Sequence, residues 1–519
     1  MSATIGGRLE WCLSRQRLWG VPIPAVVCTN CDQVIITSEL IEFVARGVEK
    51  QGIEYWSEIN VHELPFKFSC TKCNGTAFAK ERDSLDVWFD SGISHYAVLA
   101  HNPALAFPAD VYLEGIDQHR GWFQSSLLTS LVLEGKACTK SFVTHGFTVD
   151  QKGHKMSKSL GNVVSPDELI AQIGTDGLRL WASSSEYGGD AVVSKELLGN
   201  VAEVYRKIRN TCRFLLSNLY DFDIEKDAVV FDQMTVLDHY ALEQLFFVNN
   251  SIRASYERMD FTGVFHQLSE YCAKELSSFY LDVVKDRLYV EKAHGHERRS
   301  AQTACWHILD TLTKLMAPIL SFTAEYISDE YQKNKDQSIH LQSFNDLKEI
   351  LQSMMAQIDQ HAVAGTDWYP FEGRAQETAQ KIDQMSFIAE REEQWELLKK
   401  IRSAILKAIE QQREVGTIKH SLEARVTVYF GLNEQQTVIL NDFIKTLEQH
   451  KQTIEQFFKE FLIVSQFIVV SKESELNQSE LTGLSVKVEH AYGSKCPRCW
   501  HWDVTQHPEH LCNRCQKLI

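Results

Sequence analysis

The sequence predicts a multidomain chain of mixed class, with an α/β region first, an α-helical bundle second, a small α+β unit third and a cysteine-rich tail last. Three observations carry this. Between Asp110 and Val149, two apolar runs flank a helical run at the spacing of a strand–helix–strand crossover. From about 195 to 365, apolar residues recur every three or four positions through several successive segments, as in packed helices. Near the end, two Cys-x-x-Cys pairs stand twelve residues apart.

Composition bounds the function. A length of 519 residues with 44% hydrophobic content suffices for three or four domains with real cores. No apolar run approaches a membrane span, and Met1–Glu10 lacks the pattern of a signal peptide, so no membrane partner and a cytoplasmic location are expected. A net charge of −16 argues against a general nucleic-acid binder, since phosphate neutralisation drives such binding. It leaves room for a structured RNA held by local basic faces. Of 13 cysteines, eight fall in four Cys-x-x-Cys pairs, leaving Cys12, Cys138, Cys212, Cys272 and Cys305. Without an export signal that pattern favours metal over disulfides.

In chain order, "DVYLEGID" (110–117) reads as a buried strand, "GWFQSSLLTSLVLEG" (121–135) as a helix and "SFVTHGFTV" (141–149) as a second, parallel strand. The loop "GHKMSKSLGN" (153–162) follows, and then "SPDEL", where Ser165 caps a helix, Pro166 takes its first position and Glu168 completes a capping box. The runs "LLGNVAEVYRKIRNTCRFLLSNL" and "CWHILDTLTKLMAPILSFTAEYI" belong to the bundle, and a polar stretch near Asp359–Gln376 connects onward. A long amphipathic helix then presents Trp395, Leu398, Ile401, Ile405 and Ile409 on one face. Alternating strands at 425–430, 465–471 and 484–491 complete the α+β unit, with a helical stretch between the first two. The expected domains are 1–190, 195–365, 375–491 and 492–519.

Four groups of residues bear chemistry. Cys496, Cys499, Cys512 and Cys515 match a closed tetrahedral zinc site, with His501, His507 and His510 as alternates that such a site does not need. Cys28, Cys31, Cys70 and Cys73 form a looser set, with thirty-eight residues between the pairs, again read as structural zinc. In "YLEGIDQHRGWF", Glu114, Asp117, Gln118 and His119 lie where a strand ends and a helix begins, a place suited to ribose or ammonium recognition and equally to a plain polar turn. Trp88 and Trp122, taken alone, read as core. In the loop, Lys155 and Lys158 flank Ser157, with Gly153 and Gly161 allowing movement; such lysines can neutralise a leaving pyrophosphate, an effect worth about 2.7–4 kcal/mol per donor elsewhere.

"HKMSKSLGN" resembles the signature loop of the class I aminoacyl-tRNA synthetases, and with "RQRLWGVPIP", "DVWFDSG" and "YLEGIDQHRGWF" the chain resembles the isoleucyl-tRNA synthetase family of bacterial type, from about Arg8 to the end. The resemblance implies a partial Rossmann-like catalytic domain, a helical anticodon-binding domain and a zinc-ribbon carboxyl terminus that contacts RNA, where Trp500 and Trp502 stack on bases or pack around the metal. It implies ATP with Mg2+ and isoleucine as substrates, tRNA-Ile as partner, and Zn2+ at one or two structural sites. By the same resemblance Lys158 and Lys155 are catalytic, and Lys158 contacts ATP. Glu114, Gly115, Asp117 and Gln118 then hold the adenylate, and Trp88 and Trp122 line the amino-acid pocket. Two family features are absent from these 519 residues: the His-x-Gly-His signature of the first nucleotide-binding half, and the editing domain expected before Arg8. The expectation is therefore a carboxyl-terminal portion, inactive alone and complemented by a separate amino-terminal half. The alternatives are a noncatalytic tRNA-binding module and a related valyl-, leucyl- or methionyl-tRNA synthetase.

Overall fold

The computed structural model describes residues 5–7, 10–157, 159–332, 335, 337–348, 350, 375–473, 476–504 and 510–518, with backbone only for 375–390. The chain divides into two compact units, one formed by 1–163 with 186–193, the other by 164–185 with 194–519.

The first unit opens with a small antiparallel sheet in which β1 (Val26–Cys28) lies between β2 (Val34–Ile35) and β3 (Phe78–Lys80). Helix α1 (Ser38–Gln51) covers it, capped by the Thr37 hydroxyl, which accepts from the Leu40 amide. Val26, Leu40, Val44, Trp56 and Leu64 are its buried core. After α2 (Val87–Gly92), strand β4 (Ala109–Gly115) pairs in parallel with β5 (Thr139–His145), and α3 (Trp122–Glu134) makes the crossover. Gly135, in the left-handed region, ends α3. Tyr112, Phe123 and Cys138 are buried between strand and helix. The outer face is bare: Val111, Leu113 and Ile116 are exposed, as are Leu131, Val132 and Leu133 on α3.

The run expected as one strand over 141–149 is two. It breaks after His145, and β6 (Thr148–Val149) pairs in parallel with β7 (Ala191–Val192) in a different sheet. The segment 187–190 crosses at the break. The Gly146 amide donates to Tyr187 O and the Phe147 amide to Asp190 Oδ1, which satisfies both donors away from any strand partner. A Cβ on Gly146 would fall 2.2 Å from Gly189 O, so the crossing requires glycine.

The second unit starts at α4 (Pro166–Ser184), kinked at Gly174. Ser165 caps it by accepting from the Asp167 amide, one position short of the box geometry expected with Glu168. Helices α5 (Lys195–Asn218), α6 (Val236–Glu257), α7 (Phe261–Glu270), α8 (Lys285–Val290), α9 (His296–Met316) and α10 (Ser321–Tyr331) follow. The apolar run 305–327 is two helices, because Pro318 offers no amide to continue α9. Asp238, fully buried on α6, accepts from Tyr280, Ser300, Thr235 and Arg287, and Arg287 also pairs with Glu460. Most of the expected polar connection near 359–376 lies outside the described residues. Helix α11 (Ala375–Glu414) buries Trp395, Leu398, Ile401, Ile405 and Ile409, as its periodicity required. It packs on the four-stranded sheet β9–β8–β11–β10, formed by β8 (Ala424–Phe430), β9 (Gln466–Val469), β10 (Asn477–Gln478) and β11 (Leu484–His490). Strands β8 and β9 are parallel, and α12 (Glu434–Gln449) and α13 (Ile454–Phe461) lie between them in sequence. No helix among the described residues is long and apolar enough to cross a membrane.

Candidate active site and metal centres

Parallel strands gather ligands at their carboxyl ends, and there β4 delivers Glu114 and Gly115, in register with Thr144 and His145 of β5. Glu114 and Asp117 are exposed, and Gln118 is half-buried. A Cβ at Gly115 would lie 2.5 Å from Asp117 Oδ1, so the glycine lets that carboxylate fold back over the strand end. Gln118 bridges two neighbours: Nε2 donates to Asp117 Oδ2 at 3.3 Å, and Oε1 accepts from the Trp122 amide at 3.1 Å.

Trp122 stacks face to face on Tyr112, with ring centres 4.3 Å apart, and its Nε1 donates to Ser91 O at 2.9 Å and Ser94 Oγ at 3.3 Å. Its indole is thus fixed in position and orientation. Trp88 remains 40% exposed. It flanks Gly121, where a Cβ would meet the Trp88 ring at 2.8 Å and Gln118 Oε1 at the same distance. Trp88, Gln118 and Trp122 therefore meet around one glycine. Sequence reasoning missed the support beneath them: Asp86 accepts from the Trp88 amide and from Trp11 Nε1 and pairs with Arg15. The aspartate just before "VWFD" was a readable N-cap signal. Burial first, and the Asp86 carboxylate second, raise the Asp90 carboxyl above its usual range.

The lysine loop begins after β6, four residues further along the chain than the end of β5. Lys155 Nζ lies 4.6 Å from the centre of the Phe147 ring, two residues beyond β5. Lys158 lies outside the described residues. Asp150 accepts from the Asn162 side chain and from the amides of His154 and Lys152. Led by the Asn162 bond, these contacts hold its carboxyl down at about 2. Asn162 Oδ1 accepts from the Ser157 amide at 2.9 Å.

Both cysteine sets converge. The ligand atoms of Cys28, Cys31, Cys70 and Cys73 lie within 4.8 Å of one another, and so do those of Cys496, Cys499, Cys512 and Cys515. Sulfur pairs 28–73, 31–70 and 499–512 are 3.6, 3.4 and 3.6 Å apart. A tetrahedron with metal–sulfur bonds of about 2.3 Å has edges of about 3.8 Å. Against burial, backbone amides and neighbouring thiols bring Cys70 and Cys496 down to about 6, while Cys73, despite the Gly75 amide, is pushed up to about 12 by the surrounding thiols. Four crowded sulfurs of this kind ionise together only around a cation, so both sets fit a divalent metal that takes thiolates. His501 lies beside the second set with its Nδ1 3.9 Å from Asp286, and His507 lies outside the described residues. Trp500 is exposed, whereas Trp502 packs edge-on against His490.

Residues 2–194 match the family of class I tRNA synthetases (I, L, M and V), and residues 238–428 match the anticodon-binding domain of tRNA ligases. The chain is 41% identical over 522 residues to an isoleucine–tRNA ligase of Caldanaerobacter subterraneus subsp. tengcongensis and 39% identical over 522 residues to one of Geobacter sulfurreducens; each alignment covers 99% of this chain and 51% of the relative. It thus spans about half the length of the curated relatives it matches. A LeuRS of Agrobacterium radiobacter K84, solved in a ternary complex with tRNA and LeuAMS, superposes with a TM-score of 0.49 at 19% identity, covering 65% of this chain and 42% of that one. A class I tRNA synthetase domain and an anticodon-binding domain thus lie in order along one chain, and isoleucine–tRNA ligases align to nearly every residue of it, so the chain is a homologue of about half of an isoleucine–tRNA ligase.

Proposed function

We propose that the chain carries the strand-end and lysine-loop side of an ATP-dependent isoleucine–tRNA ligase, which joins isoleucine to AMP and passes it to tRNA-Ile. The reading rests on one observation above all: β4 ends in Glu114 and Gly115 with Asp117 and Gln118 hydrogen-bonded to each other just beyond it, and the loop that bears Lys155 follows β5 and β6 along the chain. In it, Glu114, Gly115, Asp117 and Gln118 receive the adenylate, with the carboxylates toward ribose hydroxyls and the α-ammonium group. Trp88 and Trp122 wall the aliphatic side chain. Lys158, aided by Lys155, takes the charge that grows on pyrophosphate as it leaves with Mg2+. The catalytic domain is then a partial Rossmann-like fold, and 238–428 reads the anticodon region. The tail is a zinc ribbon, and zinc in both cysteine sets shapes loops without entering the chemistry. A cytoplasmic site of action follows from the same reading, and the opposing His-x-Gly-His signature is supplied by the amino-terminal half of the enzyme.

The test is isoleucine-dependent ATP–pyrophosphate exchange, with the chain mixed with a polypeptide spanning the remaining half of a curated relative. Exchange is expected with isoleucine over valine, leucine or methionine, and Lys158→Ala should lower it about 100- to 1000-fold without weakening tRNA binding. No exchange from two folded, associated halves sinks the enzymatic reading. Salt-sensitive binding of tRNA-Ile surviving in that case points to a noncatalytic RNA-binding module.

A further inference from the structure

The loop between β6 and α4 contains two turns, and one side chain ties them together. The first is a hairpin: Gly153 N donates to Asp150 O at 2.9 Å and Asp150 N to His154 O at 3.0 Å, and Lys155 bridges back to Val149. The Asp150 carboxylate locks it from within, Oδ1 accepting from the amides of Lys152 and His154 at 2.9 Å each. The second brings Leu160 N to Ser157 O at 3.2 Å and the Ser157 and Ser159 hydroxyls to 3.0 Å apart. Asn162 spans both turns. Its Nδ2 donates to Asp150 Oδ2 at 3.0 Å and to Lys155 O at 3.4 Å, and its Oδ1 accepts from Ser157 N at 2.9 Å.

We propose that Asn162 and Asp150 form a clasp that sets the backbone on both sides of Lys158, making them positioning residues for the lysines that meet the ATP polyphosphate. This rests on the function proposed above. Lys152, Lys155 and Lys158 fall within seven residues, and like charges at that density spread a free loop open. The clasp opposes the spread with one carboxylate, held ionised at any working pH by the contacts that bring it down to about 2. A loop already closed spends less ordering entropy when polyphosphate arrives. The inference separates the two ends of the motif: the lysines touch substrate, and the asparagine four residues beyond Lys158 fixes where they start from.

The chemistry of the pair dictates the experiment. Asp150→Asn sets two amide donors face to face, and Asn162→Asp sets two carboxylates face to face. The double exchange D150N/N162D restores one donor to one acceptor, while either residue at 162 still accepts from Ser157 N. In the exchange assay each single change is expected to lower kcat by about 100-fold and raise KM for ATP, with KM for isoleucine unchanged; the double exchange should regain most of the loss. Hydrogen–deuterium exchange of peptides covering 150–162 reads the clasp in the chain without any activity: faster in each single variant and slowed again in the double. Unchanged amide exchange in the single variants, unchanged kcat, or a double variant no better than the singles overturns the proposal. Absence of pyrophosphate exchange from the unsubstituted chain mixed with a folded, associated remaining half defeats the proposed function instead, and the amide exchange still decides the clasp.

Discussion

The two cysteine clusters share a turn and differ in what they hold. In all four Cys-x-x-Cys pairs, the amide four residues after the first cysteine returns to that cysteine's carbonyl: Asp32 to Cys28, Asn74 to Cys70, Trp500 to Cys496 and Gln516 to Cys512. The first three returning residues lie in the left-handed region, with φ of 57°, 54° and 65°. Asp and Asn adopt that conformation readily, whereas a bulky residue does so at a cost of roughly 1–2 kcal/mol. The first cluster closes a self-contained module whose apolar core is made by α1 and its own loops, and Cys73 stays exposed. The second is buried at all four cysteines and packs on Val290 at the end of α8. Arg498 donates to Val290 O, and Arg514 pairs with both Asp286 and Glu291. One cluster organises a local loop; the other fastens the chain end to the helical bundle. A similar ligand set therefore serves two mechanical purposes, decided by the residues around it.

The strongest break of that contrast is ligand loss. Cys499→Ser, in the buried set, is expected to destabilise the second unit by about 3–5 kcal/mol and to release amide protection in α8 as well as in the tail. Cys73→Ser alters the one exposed cysteine of its set, so its effect stays at about 1–2 kcal/mol and within 25–85. Equal, purely local responses in both would erase the distinction, with hydrogen exchange and thermal melting as the readouts. Next comes Arg514→Ala, which strands two half-buried carboxylates; about 1–2 kcal/mol is expected, moderated by the solvent reaching a guanidinium 38% exposed. That loss should vanish in a Cys499→Ser background if the ion pairs act through a docked tail, a double-mutant cycle that separates the two. The smallest expected effect has the opposite sign. Trp500→Asn should stabilise the tail by less than about 1 kcal/mol, since the eased backbone is partly offset by losing the Lys495 ammonium 5.1 Å from the indole centre, and a net loss of stability would mean that this exposed contact outweighs the backbone strain.

How much of this was legible depended on how local each signal was. The crossover, the capped start of α4 at Ser165 and the buried face of α11 came from periodicity and caps, which need only neighbouring residues. Both cysteine sets came from spacing. The break at Gly146 escaped because its cause, the crossing of Gly189, lies more than forty residues away in sequence. The Asn162 brace escaped for the opposite reason: an asparagine beside a glycine reads as a turn residue, and nothing in the sequence distinguishes that from one whose amide reaches Asp150 and Ser157. Trp122 reads as core when taken alone and as a pocket wall by resemblance; it packs against the Tyr112, Phe123 and Cys138 cluster, and its Nε1 is tethered to Ser91 O, a polar anchoring that composition does not reveal.

The bare outer face of β4 and α3 carries a practical consequence. A parallel pair with Val111 and Leu113 open to water has both the free backbone and the apolar side chains that recruit another strand, and Val132 at 84% exposure adds a greasy knob on the helix beside it. A net charge of −16 keeps such molecules apart at low ionic strength, and salt removes that protection. Concentration and salt should therefore govern whether this protein stays dispersed, and a variant with Leu113→Lys would be the one to handle at high concentration.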